Sequence, residues 1–269
     1  MSTVSSPARH VEVARMMGTV VSVHVMGDPD PEVFADAADA CFAHLRRADR
    51  VFPTYRDDSD VMRLRRGELA PQDADPWVAD VADACARAEA ETGGLFSATW
   101  SGQWDPTGYV KGWAVEGAAR AHLASLVAQP GVVAAGINAG GDMQLFTAPG
   151  ADWTWNVGIA DPGASARVLA TVGVRDGAVA TSGPGERGSH IVDPRTGRPA
   201  AGVASATVVA AGLADADLWA TAAVVAGFDD LGWLPRAGAS RGMIVAEDGR
   251  VRRWLDGTEV SVVAADALL

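Results

Sequence analysis

Hydrophobic and polar positions change rhythm several times along this chain. Residues 11–25, V-E-V-A-R-M-M-G-T-V-V-S-V-H-V, alternate with the two-residue period of a half-buried strand. Gly18 falls where the run must bend or bulge, so the segment predicts one or two strands. From Pro31 to Val51 the period becomes helical: Phe34, Ala38, Cys41 or Phe42, Leu45 and Ala48 share a face that ends at Phe52, and Pro53 stops it. The next stretch, F-P-T-Y-R-D-D-S-D-V-M-R-L, is polar and turn-prone. Asp75-Pro76 opens a second helix that runs through Val78, Val81, Ala82 and Cys85 to Gly93-Gly94. A passage with Trp100 and Trp104 leads into D-P-T-G-Y-V-K-G, residues 105–112. After it Trp113, Gly117, Ala121 and Ala124 continue a small-residue helical face as far as Pro130-Gly131.

Val132 to Phe146 reads as strand, glycine-rich turn, strand, with I-N-A-G-G-D-M at its middle. Strands follow in quick succession around Trp153–Ile159, Arg167–Val174, Ala178–Thr181 and Ala204–Val209, with turns such as Asp176-Gly177 between them, which predicts an antiparallel sheet. A helix is expected from about Leu213 to Ala226, then a hairpin in M-I-V-A-E-D-G-R-V-R-R-W, then an edge strand and tail in the last ten residues. No repeat, low-complexity tract or linker divides the chain. Its 269 residues are expected to form one domain with a core over about residues 11–262.

Composition narrows the classes. With 48% hydrophobic and 21% charged residues the chain reads as globular, and no apolar run approaches the roughly 20 residues of a membrane helix, so no membrane insertion is expected. The opening M-S-T-V-S-S-P-A-R-H carries no export pattern, and Cys41 and Cys85 both fall on apolar helical faces. A cytoplasmic setting follows as the expectation. A net charge of -12 argues against a nucleic-acid surface. A phosphorylated ligand would need a local pocket or a divalent cation to supply positive charge.

Candidate chemistry concentrates in residues 179–199, V-A-T-S-G-P-G-E-R-G-S-H-I-V-D-P-R-T-G-R-P. Thr181, Ser182, Arg187, His190 and Asp193 crowd a turn-rich segment where packing does not require them. Ser182 is not the serine of a G-x-S-x-G elbow, because Ala180 stands where the first glycine would be. Lys111 is the only lysine among 22 Lys plus Arg. Placed in the first turn of a helix, where backbone N–H groups and the macrodipole favour an anion, it suits a phosphate; the alternative is a compositional accident. Asp217 and Thr221 stand one helical turn apart, as a pair of oxygen donors for Mg2+ or as a cap and a packing residue. Tyr55 reads either as a ring that stacks on a planar ligand or as cover for a helix end. Gly140-Gly141 reads as a close approach to a ligand or simply as a turn.

In this order, the marks resemble the ApbE family of FAD-dependent flavin transferases. They are Met17-Gly18-Thr19, Tyr55 with Ser59, Asp105 to Gly112, Asn138 to Asp142, Thr181-Ser182-Gly183 through His190-Ile191-Val192-Asp193-Pro194 and Thr196-Gly197, and Ala216-Asp217 with Ala220-Thr221. The resemblance implies an α+β, T-fold-like architecture in which antiparallel sheets packed with helices form two related halves around a ligand cleft. It implies Mg2+-dependent transfer of FMN from FAD to a Thr or Ser hydroxyl of an acceptor protein, with release of AMP. Carried over by residue, it makes Asp217, Thr221 and the Val110 carbonyl the Mg2+ ligands, with Lys111, His190 and Asp217 catalytic. The FAD positions it implies are Tyr55, Ser59, Asp105, Lys111, Asn138, Gly140, Gly141, Asp142, Thr181, Ser182, Gly183, Arg187, His190 and Asp193. His190 would take the proton from the acceptor hydroxyl, or orient its loop. The chain departs from the family pattern in a short loop between Arg187 and His190, in Glu116 where Asp is usual, and in Arg65 where Asn is common. A Mg2+-dependent FAD pyrophosphatase and a non-catalytic FAD-binding protein are the competing expectations.

Overall fold

In the computed structural model, which describes residues 6–187, 191–238 and 241–260, the chain opens with a hairpin. Strands β1 (Arg9–Met16) and β2 (Thr19–Gly27) pair antiparallel. Met17 and Gly18 between them both take positive φ, 51° and 73°, the backbone a two-residue turn needs. Helix α1 (Pro31–Val51) starts where Asp30 accepts from the N–H groups of Glu32 and Val33, and its buried stripe is the one the helical period predicts. The following polar segment holds an unexpected short helix, α2 (Asp60–Arg65), capped by Ser59; six residues are too few to set up a readable period. Helix α3 (Trp77–Thr92) ends on Gly93 at φ 64°. Helix α4 (Thr107–His122) is shorter than its small-residue face suggests. The N–H groups of Leu123 and Ala124 both turn onto the Ala119 carbonyl, with no Gly or Pro to mark the stop, and a 3₁₀ turn at Leu126–Ala128 takes up the rest.

Strands β3 (Val132–Ala139) and β4 (Asp142–Thr147) form the expected hairpin around Gly140-Gly141, both at positive φ. Strands β5 (Trp155–Asp161) and β6 (Ala164–Val174) pair only with each other, as a ribbon apart from the main sheet. Then come β7 (Gly177–Ser182), α5 (Pro184–Arg187), the short pair β8 (Val192–Asp193) and β9 (Arg198–Pro199), β10 (Val203–Ala210) and α6 (Leu213–Ala226). Strands β11 (Arg241–Ala246), β12 (Val251–Leu255) and β13 (Thr258–Val260) complete the described chain. Except for Val260, the edge strand and tail expected in the last ten residues lie outside the described residues.

The main sheet is antiparallel throughout, in the order β1-β2-β3-β4-β7-β10-β11-β12-β13. Directly opposed residues of antiparallel strands share a face. Val21, Val23, Ala135, Ile137, Ala178, Ala180, Ala206 and Val208 all point to the side covered by α1, α4 and α6, where the largest apolar cluster lies. Leu145, Val179 and Val209 point to the other side and pack under Val157 and Val174 of the ribbon. The antiparallel α+β architecture is thus the one expected. Cys41 and Cys85 are free and buried in the helix-side core, and burial pushes both thiols up to about 12. No helix among the described residues is long and apolar enough to cross a membrane.

Candidate active site

Helices α4 and α6 cross so closely that a methyl group on Gly112 would come 2.8 Å from the Leu213 carbonyl oxygen and 2.9 Å from Asp217 Cβ. Only glycine allows that approach. It brings the Asp217 carboxylate, whose residue is 5% exposed, against the backbone of α4, where Oδ2 accepts from Gly112 N–H at 3.1 Å. One position earlier, Lys111 extends its ammonium onto Asp142 Oδ2 and lies 3.9 Å from Asp217 Oδ1. Asp142 is itself buried and accepts from Thr181 N–H at 3.0 Å, which ties β4 to β7. Helix α4 begins at Thr107, so Lys111 is its fifth residue and not part of its first turn, a correction to the sequence reading. The groups at the exposed helix end are Thr107 and Gly108, which line the same cleft. Asp105 holds that end, its Oδ1 accepting from Thr107 N–H at 3.0 Å and Thr107 Oγ1 at 2.6 Å.

The cleft has a volume of about 320 Å³ and runs between α4, the end of β7 and α6. Asp105, Lys111, Thr181, Ser182, Gly183, Asp217 and Thr221 meet there, and Ser182 Oγ lies 3.0 Å from Thr221 Oγ1. A smaller hollow of about 100 Å³ joins it at Thr107 and Lys111, lined by Met17, Phe52, Tyr55 and Val110. Tyr55 is 73% exposed, with its hydroxyl donating to Asp49 Oδ1 at 3.0 Å. Lys111 thus stands between two buried carboxylates, Asp142 and Asp217, close to the hydroxyls of Ser182 and Thr221. Carboxylate and hydroxyl oxygens are the hard donors that fit Mg2+. No group of three or more His, Cys, Asp or Glu that could hold a metal ion occurs among the described residues, so the side-chain donors at this place are one carboxylate and hydroxyls.

Other expected positions are placed elsewhere. Ser59 is fully buried and caps α2, its Oγ accepting from Met62 N–H at 3.2 Å. Asn138 points to the ribbon side of the sheet, where its Oδ1 accepts from Gly141 N–H at 2.8 Å. Gly140 and Gly141 form the turn, and a methyl group on Gly140 would collide with Thr19 Oγ1. Asp193 turns onto its own loop: Arg195 donates to it from its backbone and its guanidinium, and this pair holds the Asp193 carboxyl below its usual range. Arg187 ends α5, and His190 lies outside the described residues.

The sequence reading missed Phe96, Ser97 and Trp100, which form the outer wall; Trp100 is 45% exposed, and its place in a Trp-, Ser- and Gly-rich turn was the available signal. Of the three family departures, Glu116 and Arg65 have structural work, and the short loop before His190 lies outside the described residues. Glu116 Oε2 caps α6 by accepting from Ala214 N–H at 2.9 Å, while Arg120 holds its Oε1 at 2.6 Å. Arg65 donates to the Trp104 carbonyl at 2.6 and 3.0 Å, fixing the approach to Asp105.

The sequence pattern of the ApbE family matches residues 17–105 and 101–240. Among curated proteins, the chain is 27% identical over 313 residues to the FAD:protein FMN transferase of Salmonella typhimurium, covering 94% of this chain and 89% of that one. It is 38% identical over 162 residues to the FAD:protein FMN transferase of Rhodobacter capsulatus, covering 55% of this chain and 29% of that one. Its fold is similar to the ApbE protein of Thermotoga maritima, with TM-score 0.77 at 23% identity over 91% of this chain and 97% of that one. It is also similar to the flavinyl transferase ApbE of Pseudomonas stutzeri, with TM-score 0.69 at 21% identity over 93% and 95%.

Proposed function

Because this chain belongs to the ApbE family, we propose that it is an FAD:protein FMN transferase, moving FMN from FAD to a Thr or Ser hydroxyl of an acceptor protein and releasing AMP. The observation that carries the reading is the cleft floor, where one lysine stands between two buried carboxylates beside two hydroxyls. In the reaction, the acceptor oxygen bonds to the FMN-side phosphorus, the bond from that phosphorus to the AMP oxygen breaks, and negative charge grows on the departing AMP phosphate. Lys111 meets that charge with a cation already held in place, so little reorganisation is needed. Asp217, Thr221 and the Val110 carbonyl would hold Mg2+, which supplies further positive charge to the phosphates when bound. Gly108 offers the backbone N–H of a helix start to a phosphate oxygen, that of Thr107 being held by Asp105 Oδ1. Tyr55, exposed beside Lys111, gives the flavin ring a surface to stack on. On the sequence alone, His190 takes the acceptor's proton and Arg187 joins the FAD contacts. The whole chain acts as one unit, in a cytoplasmic setting that its two free, buried thiols support.

The test is flavin fluorescence in a denaturing gel after incubating the protein with FAD and an extract of its source cells, with Mg2+ or with EDTA. A fluorescent band on another protein is expected, requiring Mg2+ and lost in Asp217→Ala. AMP and free FMN without a band would make the protein a pyrophosphatase, and intact FAD would overturn the site.

A further inference from the structure

The ribbon side of the sheet carries a second cavity, of about 360 Å³, bounded by β2, β3, β4 and the start of β5. Arg9 on β1 reaches into it: Nε lies 3.3 Å and Nη2 3.0 Å from Nδ1 of His24. A guanidinium only donates, so Nδ1 accepts and the imidazole proton sits on Nε2, 2.8 Å from Ser22 Oγ. Burial, and then the Arg9 charge, lowers His24 to about 4, so the ring is neutral near pH 7. Arg9 therefore rests on a neutral base and makes no ion pair among the described residues. No carboxylate lines the cavity, although the chain has a net charge of -12. The rest of the wall combines large apolar side chains, Trp153, Trp155, Met26, Met143 and Leu145, with the polar Asn138, Thr154 and Asn156.

We propose that this cavity is a binding site for a small aromatic carboxylate, its carboxylate on Arg9 and its ring between the tryptophans and methionines. The guanidinium, without an ion pair among the described residues, selects an anion, and its planar fork matches a carboxylate. A phosphate would bring more charge than one arginine neutralises. The indole and thioether walls favour an aromatic body, and the volume falls in the range of small-molecule sites, roughly 300–1,000 Å³. The site lies across the sheet from the transfer cleft and does not depend on the function proposed for it.

Calorimetric titration of the full chain with 1-naphthylacetate and with its neutral analogue 1-naphthylacetamide tests this. The acid is expected to bind saturably and the amide at least tenfold more weakly. Arg9→Gln should abolish that preference, and Arg9→Lys should retain part of it. Arg9 is on an exposed edge strand, and unchanged melting of its variants shows that they fold. Saturating FAD should leave binding intact. Equal binding of acid and amide, a preference that survives Arg9→Gln, displacement by FAD, or no saturable binding of either probe would each overturn the proposal.

Discussion

Lys111 has to serve two buried carboxylates with one charge, and its compact ammonium fits between them where a forked guanidinium would not. Lys111→Arg keeps the charge but is expected to lower kcat by about 10²-fold, the scale of losing one preorganised donor, as read by AMP release under saturating FAD. A rate equal to the parent's would refute the argument from size. The lysine was legible in the sequence because it stands alone, and Asp217 with Thr221 because a helix puts them one turn apart. Its contact with Asp142 was not, since it joins a helix to a hairpin through tertiary packing. Asn138 shows the limit at this scale. It lies in the same hairpin as Asp142, yet the pleat sends the two side chains to opposite faces, and a motif read as a unit hides that alternation.

The crossing of α4 over α6 depends on Gly112, whose missing side chain brings Asp217 to the α4 backbone. Gly112→Ala is expected to force the helices apart and cost about 1–3 kcal/mol, the range for overpacking, measured by denaturant unfolding, with loss of activity. Gly108→Ala on the same helix is the control. Its methyl group would meet only the Phe96 ring at an ordinary 3.5 Å, so stability should hold or rise slightly. An equal loss in both variants would mean that the crossing is not the cause. Elements with long periods or clear caps, such as α1 and α3, are legible from residue spacing alone. Helix α2 is not, because its length is under two turns, and α4 reads too long, because it stops without a breaker residue. The β5–β6 ribbon was legible as strands but not as a separate layer, since strand patterning does not say which neighbour a strand takes.

At the scale of the whole molecule, two histidines on different elements make stability depend on pH in the mildly acid range. His24 lies under the ribbon edge; His44 on α1 packs between Trp77 and His122, with ring centroids 4.6 and 6.0 Å away. Burial is the main cause that lowers each from 6.5 to about 4. Between those values the unfolded chain binds protons that the folded chain refuses. The histidine contribution therefore lowers stability as pH drops from about 6.5 to 4, by at most about 3 kcal/mol per histidine, and is constant below. Melting temperatures across that window should show the fall, and His44→Gln should flatten it; an unchanged slope in the variant would remove His44 from the account. The antiparallel α+β class was readable from strand spacing, but the β4–β7 pairing that makes one sheet was not, because the ribbon intervenes in the chain between them. The lone lysine also has a chemical consequence for the molecule as a whole. With one ε-amine in 269 residues, its side chain 24% exposed inside the cleft, an amine-reactive dye or cross-linker has a single lysine to find. Beside the α-amine, the native chain thus offers one lysine for conjugation, in the proposed transfer cleft, with protection by FAD as the gauge of occupancy.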